Sequence, residues 1–339
     1  MDDELNQSTD YSAADLPEQS LERRDDVRFQ HETENLIKSA EDMRLQYMRK
    51  QRSRSFMAMA AGILSVLAGS VGFGWFFLME GNLILGLTFL ISGMVAPALL
   101  NLWASGPAKA YAQHYKTDFM PKMAQLLGGL KFYPNRGINH KIVKKTGVIP
   151  PHDIYNAEDC FMGVYKNVKV MVSEARLYKG KKKKKSDPVF DGIFVLLEIS
   201  EKIIEGHTIL TADAQLAGRA ASTIWRKFTS LTIKTDNPSW NRFQIFSTKP
   251  ESAKLLIGER FLKELSEAAE VFNNAPLSAV LFGGKFIFIA IPYEDDMFEA
   301  SNMYVPITTK KHALQCKKEI DQILEIIDLF ELYKTEGKA

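Results

Sequence analysis

Along most of the chain polar and apolar positions alternate at short intervals, but residues 56–79 and 83–103 carry no charged side chain, and only Glu80, Gly81 and Asn82 part them. Each run matches the roughly 20 apolar residues that take a helix across a hydrocarbon core. No water satisfies backbone groups there, so the pattern predicts two antiparallel membrane helices joined by a tight turn. The alternation of a membrane β-barrel is absent. The first run begins too far in, is too long and is followed too closely by the second to be a cleaved signal, so it is expected to stay with the chain. Ala61, Ser65 and Gly69 recur every fourth residue and offer a face for close helix packing, with Gly86 and Gly93 as the matching surface. Pro97 frees a carbonyl inside the second helix, which a neighbour must satisfy.

Outside the hairpin the periods change. Residues 29–54 carry Leu36, Ala40, Met43 and Tyr47 at steps of four and three, the stripe of an amphipathic juxtamembrane helix. A connecting helix over 108–129 places Tyr111, Tyr115, Phe119 and Leu126 on or near one face and stops at Gly128 and Gly129. A short basic helix at 141–145 ends before Pro150 and Pro151. β-Branched and aromatic runs at 161–165, 168–176, 190–199, 207–210 and 242–247 predict strands. A helix over 248–272, opened by a capping box of Thr248 and Glu251, shows Leu255, Leu262, Leu265, Ala269 and Phe272 on one side. Strands at 277–282 and 285–291 meet at Gly283 and Gly284, which suit a tight hairpin. A last helix at 310–333 turns Cys316, Ile320, Ile323, Ile327 and Phe330 inward. The fold class is a membrane-anchored α+β chain: a two-helix transmembrane hairpin plus a cytoplasmic domain, residues 130–339, of antiparallel sheet with flanking helices.

Composition adds location. With 339 residues, 46% of them hydrophobic, the chain can build the hairpin and one substantial soluble core. The net charge of +2 is near neutral, but residues 1–28 are polar and acidic, too poor in apolar side chains to fold, and read as a disordered leader. Arg44, Arg49, Lys50, Arg52 and Arg54 precede the first span, and Lys109, Lys116 and Lys122 follow the second. Basic residues mark the cytoplasmic side, so both termini are expected there, with the membrane crossed twice. The spans hold no ionisable residue, which argues against a transport path. Cys160 and Cys316 are isolated and read as reduced thiols.

Chemistry is sparse. Lys181, Lys182, Lys183, Lys184 and Lys185 form the strongest charge run in the soluble part, placed at a long hairpin tip. A solvated loop is the first reading, and contact with anionic lipid, shared with Arg49, Lys50, Arg52 and Arg54, the second. Nucleic acid ranks last, because no aromatic residues interleave the lysines. His31, His114, His140, His152, His207 and His312 are scattered with no metal-ligand spacing. His152 and Asp153 beside the double proline could form a small site, and Glu294, Asp295 and Asp296 could offer oxygens to a hard cation, yet a polar loop explains both. Phosphate-loop, dinucleotide-binding and nucleophile-elbow motifs are absent, so no catalytic, cofactor-binding or metal-binding residue is assigned and no cofactor is expected.

The order of these pieces carries a resemblance. After the hairpin and double proline come Phe190-Asp191-Gly192-Ile193-Phe194 and Gly206-His207-Thr208-Ile209-Leu210-Thr211-Ala212-Asp213. Then follow Phe286-Ile287-Phe288-Ile289-Ala290-Ile291, Met297-Phe298-Glu299 and Ile326-Ile327-Asp328-Leu329. From the hairpin onward the chain resembles the bacterial membrane-protein family labelled domain of unknown function 3137. That resemblance implies a two-span protein of the inner membrane with a cytoplasmic α+β domain, and brings no catalytic or binding residue. The expectation is a non-enzymatic interaction or scaffold module, self-associating through the hairpin or the 36–47 stripe and bound to a protein partner. The alternative is an enzyme or binding domain acting on anionic lipid or another membrane-associated substrate.

Overall fold

The computed structural model describes residues 26–127, 129–180, 187–199, 202, 205–213, 216, 227–293, 303, 304, 306, 317, 318, 320, 321, 323–325, 327 and 328. The acidic leader through residue 25, the five-lysine run, the acids at 294–296 and Cys316 lie outside the described residues. The chain divides into two compact units, one drawn from Met1–Thr33, Met120–Phe298 and Lys311–Ala339, the other from Glu34–Phe119 and Glu299–Lys310.

In the helical unit, α1 (Asp26–Gly74) runs unbroken through the juxtamembrane segment and into the first apolar run, because nothing near Ser55 interrupts a helix. A π-helical turn (Trp75–Met79) closes it. Gly81 then takes φ +63°, and the Asn82 side chain accepts from the Leu85 backbone N–H at 3.1 Å, capping α2 (Leu83–Ala104). Both helices are long and apolar enough to cross a membrane. They touch through glycine: a Cβ on Gly93 would lie 2.7 Å from the Ser65 carbonyl oxygen and 2.9 Å from the Gly69 Cα. Gly86 approaches the Phe73 backbone in the same seam. Pro97 lacks the N–H that would bond the Gly93 carbonyl, and the Ser65 hydroxyl, 3.4 Å away, faces that oxygen instead. Ala61 is exposed, and Gly62 stands opposite Pro97 in the place expected of it.

The inner face of α1 ahead of the apolar run also differs from the expected stripe. Ile37, Ala40, Arg44 and Gln51 are buried, whereas Leu36, Met43 and Tyr47 are half-buried. Arg44 can sit inside because each of its three nitrogens donates: Nη2 and Nε to Glu41 at 2.6 and 2.8 Å, and Nη1 to the Met303 carbonyl at 2.7 Å. α3 (Gly106–His114) and a π turn (Tyr115–Phe119) bury Tyr111, Tyr115 and Phe119, and Tyr47 meets Tyr111 at 6.1 Å between ring centroids.

The sheet unit begins with α4 (Met120–Leu126) and β1 (Lys131–Tyr133), followed by α5 (His140–Thr146), β2 (Ile154–Tyr165), β3 (Val168–Tyr178), β4 (Phe190–Glu198) and β5 (Thr208–Thr211). β6 (Thr229–Leu231), β7 (Gln244–Ser247), α6 (Pro250–Leu256), α7 (Glu259–Val271), β8 (Ser278–Phe282) and β9 (Phe286–Pro292) complete it. The nine strands form one sheet in the order β1-β2-β3-β4-β9-β8-β5-β7-β6, every pair antiparallel. Its core packs Phe194, Leu196, Phe288 and Val280 with Ile142 and Val143 of α5. The β8–β9 turn uses Gly283 and Gly284 at φ +56° and +78°, the pair of left-handed residues a tight hairpin needs.

The expected helix over 248–272 is two helices, broken at Ile257 and the extended Gly258, which leaves Leu255 exposed. The capping box does not form. The Thr248 hydroxyl accepts from the His207 backbone N–H at 2.9 Å, and Lys249 occupies the cap without a side-chain bond.

The β2–β3 turn, Lys166 and Asn167, is held to the C-terminal helical residues by Asp328. Its carboxylate accepts from the Tyr165 hydroxyl at 2.8 Å and the Lys166 ammonium at 2.7 Å. Burial, then Asp328, pushes the Tyr165 hydroxyl's pKa up. Asp328→Asn keeps the shape and removes the charge, and since Lys166 is largely exposed the expected loss is about 1 kcal/mol. Urea midpoints of the two full-length chains measure it. An unchanged midpoint would assign the contact no role in stability.

Candidate functional site

The densest cluster of titratable rings in the sheet unit forms around α5. Asn139 caps that helix by accepting from the Lys141 N–H at 2.9 Å, and Gly147 at φ +75° ends it. The chain turns back through Pro150 and Pro151, two residues with fixed φ, and sets His152 beside His140. The two Nε2 atoms are 2.6 Å apart, while His152 Nδ1 lies 2.8 Å from the Pro150 carbonyl oxygen. A carbonyl only accepts, so His152 Nδ1 carries its hydrogen and, in the neutral ring, its Nε2 offers a lone pair to the His140 Nε2–H. The His140 ring stacks on Tyr155 with centroids 4.3 Å apart, and the Tyr155 hydroxyl donates to the Ile138 carbonyl at 2.5 Å.

Burial, then the positive Lys144 and the neighbouring His152, lower the pKa of His140. At the other end of α5, His207 Nε2 donates to the Thr146 carbonyl at 3.0 Å, between the rings of Phe228 and Phe282. Burial lowers its pKa too, partly offset by that bond. Histidines therefore hold α5 at its first and last residues. A cavity of about 230 Å³ opens beside the pair, lined by Val143, Lys144, Ile149, Pro150 and His152 among others.

The pairing was not readable in the sequence, since His140 and His152 acquire meaning only when the double proline folds one onto the other. Asp153, considered with His152, turns away: its carboxylate accepts from the Gly180 N–H at 2.7 Å and fixes the end of β3. His207 is not among the described residues that line the cavity beside His152. The arrangement can hold and pass one proton. Among the described residues no group of three or more His, Cys, Asp or Glu could hold a metal ion. Cys160 is buried, and burial pushes its thiol up to about 12, far from a reactive thiolate.

Of the residues considered for lipid, Arg49, Lys50 and Arg52 are exposed and Arg54 is half-buried, its guanidinium 5.0 Å from the Trp103 ring centre. Lys50 stands 5.6 Å over Tyr47. Such contacts let long cationic side chains lie on aromatic rings at the end of an apolar helix.

No curated protein and no solved structure matches the chain. A family match covers residues 188–332, from the residues just ahead of β4 to the helical residues after 317, and so takes in β4, the strands β5 to β9, and Asp328, but not its partners Tyr165 and Lys166. The hairpin and the histidine pair lie outside that match. Residues 188–332 match the model of the family described as protein of unknown function (DUF3137).

Proposed function

We propose that the chain is a membrane-anchored interaction module without catalytic activity, its hairpin spanning the inner membrane twice and its sheet unit working on the cytoplasmic side. The supporting observation is the hairpin itself. Two helices close on each other through backbone contact at Gly69 and Gly93, and turn large side chains such as Phe56, Leu64, Leu78, Ile84 and Leu102 outward. A water-soluble helix pair buries such residues between its helices; this one buries glycine and presents the apolar bulk to its surroundings. The basic residues Arg49 to Arg54 and Lys109 place both termini on the cytoplasmic face in this reading. Nothing large is left on the far side of the Gly81 turn, so the partner is a protein reached from the cytoplasm.

Cross-linking of the full chain in native membranes followed by affinity capture should recover the same partner, or a second copy, in repeated preparations. A strictly monomeric chain with no recurring partner would overturn the proposal. One observation favours a second reading, in which the shared proton of His140 and His152 serves a small ligand in the adjoining cavity. Turnover lost on His152→Ala would support that reading.

A further inference from the structure

We propose that the hairpin holds one anionic glycerophospholipid, with an acyl chain in a slot along α1 and the headgroup at Arg52 and Arg54; this rests on the membrane reading above. The slot is a cavity of about 520 Å³ lined by Ser55, Ala58, Gly62 and Val66 of α1 and by Pro97 and Asn101 of α2, among others. Its volume falls within the roughly 300–1,000 Å³ of small-molecule sites. It exists because α1 carries small residues where α2 carries a proline: the Gly62 Cβ position is 3.4 Å from Pro97, and Ser55, Ala58 and Gly62 leave the flank unfilled.

From Ser55 to Leu67 the slot follows α1 for twelve residue steps, about 18 Å at the helical rise. Half of a hydrocarbon core about 30 Å thick is close to that length, so the slot matches the depth of one leaflet. Unfilled space of this size in a bilayer takes up hydrocarbon. The lining is graded to suit: Ile63, Val66 and Leu67 at the deep end, and Ser55 and Asn101 at the mouth.

Charge and an unused polar atom mark the mouth. Arg52 precedes Ser55 by three residues and so neighbours it on the helix surface, while Arg54 lies against Trp103. Gln51 is 9% exposed and donates to the Ser55 hydroxyl at 3.2 Å, and its Oε1 has no hydrogen-bond partner among the described residues. A hydroxyl both donates and accepts, so the amide can turn over, keep Ser55 through its oxygen, and offer its N–H groups to a phosphate or ester oxygen. A second copy of the chain fits the slot less well. Packed side by side in the same orientation, it would bring a second set of Arg49, Lys50, Arg52 and Arg54 against the first.

Native mass spectrometry of the full chain released from nanodiscs of equal phosphatidylglycerol and phosphatidylcholine tests the inference. The expected result is one retained phosphatidylglycerol per chain, favoured over phosphatidylcholine, with the preference falling about fivefold for each of Arg52→Gln and Arg54→Gln. Ala58→Leu fills the slot and should remove both lipids. Arg52 is exposed and its variant leaves the helix seam untouched, so Arg52→Gln decides the matter even if Ala58→Leu, or Arg54→Gln through its lost Trp103 contact, disturbs the hairpin. Retention of the two lipids in the bulk ratio, or a lipid-free dimer, would overturn the inference. A chain that does not enter the nanodisc at all would overturn the membrane reading itself, whereas insertion without lipid preference would overturn this inference alone.

Discussion

Gly192→Val is expected to unfold the sheet unit or to cost it more than about 3 kcal/mol, beyond the usual range for overpacking. β4 lies between β3 and β9, and Gly192 faces Ala175 on one side and Pro292 on the other. A Cβ built there would lie 2.1 Å from the Ile291 carbonyl oxygen and 2.8 Å from the Tyr293 nitrogen. Both are backbone atoms and cannot rotate away. The Tyr293 N–H donates to the Asp191 carbonyl at 3.0 Å, so separating the strands breaks that bond and lifts Phe194 and Phe288, paired deep in the core, from each other. With total stabilities of roughly 5–15 kcal/mol, such a loss leaves little folded protein. Gly258→Ala is the control: nothing lies within 4 Å of its Cβ position, and its effect should stay within about 0.5 kcal/mol. Hydrogen exchange of the β4 and β9 segments against urea in the full chain measures both. Equal effects would overturn the steric argument.

What the sequence disclosed and what it withheld divide along a physical line. A charge-free run of membrane length has one structural solution, and the strands at β3, β4, β8 and β9 were legible because β-branched and aromatic residues crowd them. β2 begins seven residues before the expected strand, since its first half is polar and a bulge between Glu158 and Phe161, with Asp159 at φ +54°, breaks the period of two. β1 and β6 are three residues each, too short to show any period. Capping was misread at Thr248 for a tertiary reason: the His207 N–H, 41 positions away, claims its hydroxyl. Arg44 and Gln51 on the inner face of α1 belong to the same class. No local pattern places an arginine inside; the Met303 carbonyl, 259 positions away, makes it possible. The histidine pair was hidden in the same way, by a contact that only the folded chain creates.

Stability of the sheet unit should carry two pH-dependent contributions of opposite sign, one lost as pH rises from the carboxyl range to about 7 and one lost as pH falls below about 6.5. The contribution lost as pH rises belongs to Glu264, which lies in α7 at 5% exposure. Burial, then repulsion from Glu267 and Glu325, with Lys263 opposing, pushes its carboxyl up to about 7. A carboxyl whose folded pKa is raised contributes stability that is complete below its unfolded value and is lost as pH rises through the folded one. The loss should therefore run from the ordinary carboxyl value of about 4.3 up to about pH 7, be complete above that, and amount to about 2 kcal/mol. On the acid side stand His140 and His207, both lowered in the fold. A lowered pKa means stability present above the ordinary histidine value of about 6.5 and lost as pH falls below it. Geometry sharpens this limb: a second proton on the His140–His152 pair points two N–H groups at each other across 2.6 Å, with Lys144 adding like charge. Urea midpoints measured from pH 4 to pH 9 should show Glu264→Gln removing the loss between about pH 4.5 and 7 and leaving the histidine contribution in place. His140→Phe, which keeps the ring on Tyr155, should lower the midpoint at pH 7 and make the acid limb shallower. If Glu264→Gln shifted the midpoint equally at pH 4.5 and pH 8, ionisation of that carboxyl would not be the cause of the loss as pH rises. If His140→Phe left the acid limb as steep as before, the pair would not be what holds α5 against acid.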